Sequence, residues 1–175
     1  MRAARLFAAA VLLCVVAGCG GADGVEPTQW AKSVCTALAP WRAEIADLTV
    51  KAQQQLEGAK TPAQAKTNIV DLLVGAESAS EKARAGVDGA GVPRVADGKK
   101  IAEQFTASLS KARDAYGNAK RTVSGLPTAD AKTFYAAVGS AFATLKDEYE
   151  RSAIDPARVG PADLQHAFDG AAECR

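Results

Sequence analysis

Apolar residues recur along this chain at steps of three and four, and no window alternates with the period of two that a strand requires. In the first such stretch Trp30, Val34, Leu38, Trp41, Ile45, Leu48, Ala52 and Leu56 line one side of a helix that starts at about Thr28. Pro40 falls inside it. A proline there lacks the N–H of the helical ladder and clashes with the carbonyl of Thr36. The pattern therefore predicts a kink or break that separates a short segment carrying Cys35 from the main helix. Thr61-Pro62-Ala63-Gln64 announces the second helix, with a hydroxyl at the N-cap, proline at N1 and glutamine at N3 in a capping-box arrangement. Its stripe runs through Ala65, Ile69, Leu72, Leu73, Ala76, Ala79 and Ala83 and ends near Gly86, ahead of the glycine-rich loop Asp88–Pro93. Ile101, Phe105, Leu109, Ala112, Tyr116, Ala119 and Val123 predict a third helix from about Val95 to Val123. A fourth, with Phe134, Val138, Phe142, Leu145 and Tyr149, spans about Ala129 to Ala153, and Asp155-Pro156 breaks it. Pro161 opens a short fifth helix that carries Leu164, Phe168 and Ala171 toward Cys174.

Four long amphipathic helices with short connections predict an all-α fold, an antiparallel up-down bundle with the short C-terminal helix packed back on the first. Only 6% of residues are aromatic, so alanine must supply much of the contact surface and the helices should pack closely. Gly75, Gly117 and Gly139 interrupt helical runs. Each costs about 1 kcal/mol relative to alanine, and is expected to permit close approach, a bend, or a small cavity for an apolar ligand.

The chain opens differently, with MRAARLFAAAVLLCVVAGC. Arg2 and Arg5 precede an unbroken apolar run from Leu6 to Val16, and small residues follow, which are the three parts of a secretory signal. The run is well short of the roughly 20 apolar residues a spanning helix needs. Val16-Ala17-Gly18-Cys19 resembles the lipobox of bacterial lipoproteins. That resemblance implies removal of residues 1–18, diacylglyceryl transfer to the Cys19 thiol, and anchorage by lipid on the outer face of the cell membrane. Residues 19–27 then form the lipidated cysteine and a short flexible tether, and residues 28–175 the helical-bundle domain. Beyond the signal the chain is similar to the small cell-envelope lipoproteins of actinobacteria, which imply no activity to carry over. Cys14 leaves with the signal. Cys35 and Cys174 remain in an oxidising compartment and are expected to form one disulfide that ties the last helix to the first.

Charge narrows the partners. The 175-residue chain has 21 basic and 20 acidic residues; loss of Arg2 and Arg5 leaves 19 against 20. A near-neutral mature chain gives no case for nucleic acid. The third helix alone is locally basic, with Lys99, Lys100, Lys111, Arg113, Lys120 and Arg121 against Asp97, Glu103 and Asp114. That excess would suit anionic lipid headgroups or an acidic wall polymer, although ordinary solvation accounts for it equally. Trp30 lies close to the lipidated end, so it is a candidate for contact with the headgroup region as well as for the core.

Catalytic constellations are thin. A di-iron site needs two Glu-x-x-His pairs, but His166 is the sole histidine and Asp163 stands three residues before it, so no metal or other cofactor is expected. No Gly-x-Ser-x-Gly elbow and no phosphate-binding Gly-Lys-Ser/Thr loop occurs. A serine triad would have to join His166 to Ser108, Ser140 or Ser152 by folding alone. Asp147, Glu148 and Glu150 read as a solvated helix face. The expected function is a non-enzymatic binding module of the cell envelope, facing a protein or wall component. A carrier or sensor for a small apolar ligand between helices is the alternative.

Overall fold

The computed structural model describes residues 24–152 and 160–175. The signal segment, Cys19 and Asp155-Pro156 lie outside the described residues. The chain is an all-helical bundle. Helix α1 spans Pro27–Gly58, α2 Pro62–Gly89, α3 Gly98–Gly125, α4 Ala131–Ser152 and α5 Ala162–Gly170, and a 3₁₀ turn covers Ala172–Cys174. None of these helices is long and apolar enough to cross a membrane.

Local chemistry sets the helix starts. Glu26 caps α1, its Oε2 accepting from the N–H groups of Thr28 and Gln29 at 2.9 and 3.3 Å, with Pro27 in the first turn. Thr61 caps α2 by accepting from Gln64 N–H at 3.2 Å. The return bond of the capping box lands one residue further back than expected, on Lys60 N–H at 2.8 Å. Asp130 caps α4 through Oδ1 to Thr133 N–H at 2.8 Å. At α3 no side chain caps the start. Instead Asp97 takes a left-handed φ of 57° and turns the chain sharply into Gly98, where an added Cβ would lie 2.0 Å from the Pro93 carbonyl oxygen.

Two expectations are corrected. Helix α1 does not break at Pro40 but runs unbroken through it. Pro40 and Thr36 are both on the exposed side, where the orphaned carbonyl can meet water, and the neighbouring Ala37 and Trp41 are held against α2. Helix α2 also outlasts Gly86 by almost a turn, because Val87 is buried and gives the extra residues something to hold.

The helices form an antiparallel row in chain order, α1 on α2, α2 on α3 and α3 on α4, with α5 and the 3₁₀ turn on α1. Among the described residues α1 and α4 share no packed interface, so the row does not close into a ring. Two cores result. One gathers Trp30, Val34, Val87, Ile101, Phe105, Leu109, Leu164 and Phe168 from α1, α2, α3 and α5. The other gathers Ile69, Leu73, Ala115, Val123, Ala141 and Leu145 from α2, α3 and α4. The α2–α3 hairpin belongs to both. It also carries cross-helix ion pairs, Glu77 with Lys120 and Glu81 with Arg113 (2.7 Å).

Candidate functional site

At two points a glycine of α2 lies directly against a side chain of α1. An added Cβ at Gly86 would lie 2.8 Å from Ala37 Cβ, and one at Gly75 would lie 2.8 Å from both terminal carbons of Leu48. Eleven residues separate the two points along each helix, about 16 Å at 1.5 Å per residue. Between them the helices frame an open cleft of about 350 Å³. Its walls are Ala37, Pro40, Trp41 and Glu44 from α1, and Gly75, Ser78, Ala79, Lys82, Ala83 and Gly86 from α2. Trp41 is half-buried, and its indole N–H donates to Ser80 Oγ at 3.1 Å. Ser80 is fully buried, and its hydroxyl donates to the Ala76 carbonyl at 2.8 Å. That relay fixes the indole while leaving part of its ring facing the cleft. Glu44 and Lys82 are exposed and bring both charge signs to the rim. Such a cleft can hold a small apolar body or a protruding side chain, with Trp41 as the contact surface.

A second open groove of about 350 Å³ lies between α3 and α4, lined mainly by small and polar side chains such as Ala115, Asn118, Thr122, Ser140 and Thr144. It offers no aromatic contact comparable to Trp41.

The residues singled out from sequence fare unevenly. Cys35 and Cys174 are disulfide-bonded, with Cα atoms 5.0 Å apart. Trp30 is not available to lipid: it has no exposed surface, its indole N–H donates to the Gly91 carbonyl at 2.8 Å, and its ring packs edge-on against Phe105 and Phe168. The burial reading of Trp30 holds and the headgroup reading falls. The basic residues of α3 do not form one patch. Lys120 and Arg113 turn toward α2 and pair with Glu77 and Glu81, and Arg113 also meets Asp114 at 2.8 Å. Lys99, Lys100, Lys111 and Arg121 are exposed and fall on one outer face of α3, but they share it with Glu103 and Asp114, and Lys99 pairs with Glu103 at 3.9 Å.

Hydroxyls considered for catalysis are committed to backbone. Ser108 donates to the Ser152 carbonyl, Ser152 to the Tyr149 carbonyl at 2.6 Å, and Ser140 to the Ala136 carbonyl at 3.2 Å, so none is directed at exposed His166. Of the three glycines inside helical runs, Gly75 meets Leu48 and Gly117 lies under the Glu77 carboxylate, but Gly139 faces open space on α4 and brings no helix close. Burial raises the Tyr116 phenol to about 12, and neighbouring Tyr149 adds to the effect. The pair lies between α3 and α4 with ring centroids 6.1 Å apart.

The cleft was only partly visible in sequence. Gly75 signalled it, but Gly86 read as a helix terminus and Trp41 as one more residue of the apolar stripe. No family model, curated protein or solved structure matches this chain.

Proposed function

We propose that this chain is an exported lipoprotein, cleaved before Cys19 and held on the outer face of the cell membrane by lipid on that residue. In this reading its bundle works without catalysis, as a binding module for an envelope protein or wall component. The α1–α2 cleft carries the proposal: a fixed, part-exposed indole sits in a notch bounded by two glycine contacts, with both charge signs at its rim. Aromatic anchors of this kind concentrate binding energy when a partner covers them. The test is a photo-crosslinking residue at Lys82 or Glu44 in intact cells. One dominant conjugate, lost in Trp41→Ala, is expected. Conjugates no different from those formed at Asp114, remote from the cleft on α3, would refute it.

A second reading places a small apolar ligand in the same cleft. Its volume, about 350 Å³, lies at the lower end of the range for small-molecule sites, and alanine and glycine supply half of its lining residues. Native mass spectrometry of the intact, gently purified protein separates the two readings. A carrier retains an added mass that Ser78→Trp expels, and a protein-binding module does not.

A further inference from the structure

The N-terminal end of the described chain is clasped to the loop between α2 and α3. Val25 N–H donates to the Val92 carbonyl at 2.7 Å, and Arg94 N–H donates to the Val25 carbonyl at 2.7 Å. Trp30 then reaches from the first turn of α1 to the Gly91 carbonyl on the same loop. Lys32 pairs with Glu173 at 2.9 Å, and the disulfide holds Cys174 one turn further along α1. One end of the row thus collects the start of α1, the α2–α3 loop and the C-terminus. The opposite end holds the α1–α2 turn and the α3–α4 loop, joined where Lys66 Nζ donates to the Leu126 carbonyl at 2.9 Å. Along the 32 residues of α1 the two ends are about 48 Å apart.

We infer that the bundle stands end-on at the membrane, with the α2–α3 loop against the lipid surface and the α1–α2 and α3–α4 turns presented outward. The inference rests on the reading of Cys19 as the lipid anchor. Four residues separate Cys19 from Gly24, and the five steps between them reach at most about 18 Å, so the clasped end stays close to the lipid surface. The loop suits that position. Val92 is 39% exposed at its tip, and Arg94, Lys99 and Lys100 are exposed around it. Asp88, Asp97 and Glu103 lie in the same region and leave little net charge. The tether and the clasp, rather than electrostatic attraction, therefore set the orientation. The rival posture lays α3 flat on anionic lipid through Lys111 and Arg121. Arg113 and Lys120 weaken it, because both are drawn toward α2.

The experiment uses the full lipidated protein in phosphatidylglycerol–phosphatidylcholine vesicles, with a benzophenone residue placed in turn at Val92, Lys60, Ala129, Lys111 and Arg121. Lipid adducts should be at least about fivefold more abundant at Val92 than at Lys60 or Ala129, since a tip roughly 48 Å away cannot reach the bilayer. Equal yields at all positions, or yields at Lys111 and Arg121 that match Val92, overturn the orientation. The mass of the mature N-terminal peptide is read on the same sample. A peptide without lipid on Cys19 overturns the anchor reading and the orientation with it, whereas lipid on Cys19 with flat or inverted adducts overturns the orientation alone.

Discussion

Two glycines show how differently one residue type can act in this fold. Gly98 is buried where α3 begins, and any side chain there would drive into the Pro93 carbonyl. Gly139 lies in α4 with nothing near it, and carries only the entropic cost of glycine in a helix. Gly98→Ala is expected to lower stability by about 3 kcal/mol, since backbone must shift to admit the methyl group. Gly139→Ala should raise it by about 0.5–1 kcal/mol. Urea unfolding of the two variants beside the parent checks both signs, and a neutral Gly98→Ala would mean that the α2–α3 loop yields easily. Glu81 supplies a prediction in pH. Hydrogen bonds from Arg84 and then Arg113 lower its carboxyl from 4.5 to about 2. A carboxylate whose pKa is depressed by folding contributes stability above its unfolded value, and that contribution is lost as pH falls through the folded value. The thermal midpoint should therefore fall between about pH 4.5 and 2, in the same direction that Lys32 imposes on Glu173 and Thr133 on Asp130. Glu81→Gln should make that acid slope shallower, and an unchanged slope would assign it to the other carboxylates.

At the scale of elements, the short α5 is docked by two different means. Leu164 and Phe168 enter the core beside Trp30 and Phe105, and Phe105 and Phe168 stack with centroids 5.8 Å apart. The disulfide then closes the chain over a separation of 139 residues. In the chain-entropy picture a loop of that size contributes up to about 5 kcal/mol. Cys35→Ser with Cys174→Ser should lower the urea midpoint accordingly, and a loss below about 1 kcal/mol would show that aromatic packing alone holds α5. This pairing was legible in sequence because only two cysteines, Cys35 and Cys174, follow Cys19. Helix identity was legible too, since a stripe at steps of three and four records which side is covered. What covers it is not recorded there. The stripe from Trp30 to Leu56 reads uniformly, yet Trp30 and Val34 are fully buried while Leu56 is 37% exposed. The basic residues of α3 likewise read as one set until α2 places Glu77 and Glu81 opposite two of them. The break expected at Pro40 does not occur for a related reason: its local cost is real, but contacts with α2 beside it keep the helix continuous.

At the scale of the whole molecule, the row of helices makes stability uneven. The α2–α3 hairpin is shared by both cores and braced by ion pairs, whereas α1 is buried mainly at its N-terminal end. For α1 the asymmetry is marked. Its first turns carry Trp30, Ala31, Val34 and Cys35, all buried, but beyond Pro40 only Ala52 is, and Val50 is 54% exposed. A segment with so little buried apolar surface opens at low free energy while the rest of the fold stays intact. Amide hydrogen exchange should therefore find residues 42–58 exchanging well before residues 28–38 of the same helix, and before the facing turns of α2 and α3. Because Trp41 stands at the boundary between the fast and slow parts, occupation of the α1–α2 cleft should slow exchange first at Trp41 to Leu48 and leave the Cys35 region unchanged. Uniform exchange along α1 would mean that the helix is held as one unit by Leu48 against Gly75, and that the cleft is rigid. Protection of the distal half alone, gained when a ligand or partner is added, would join the uneven packing of the row to the proposed binding site.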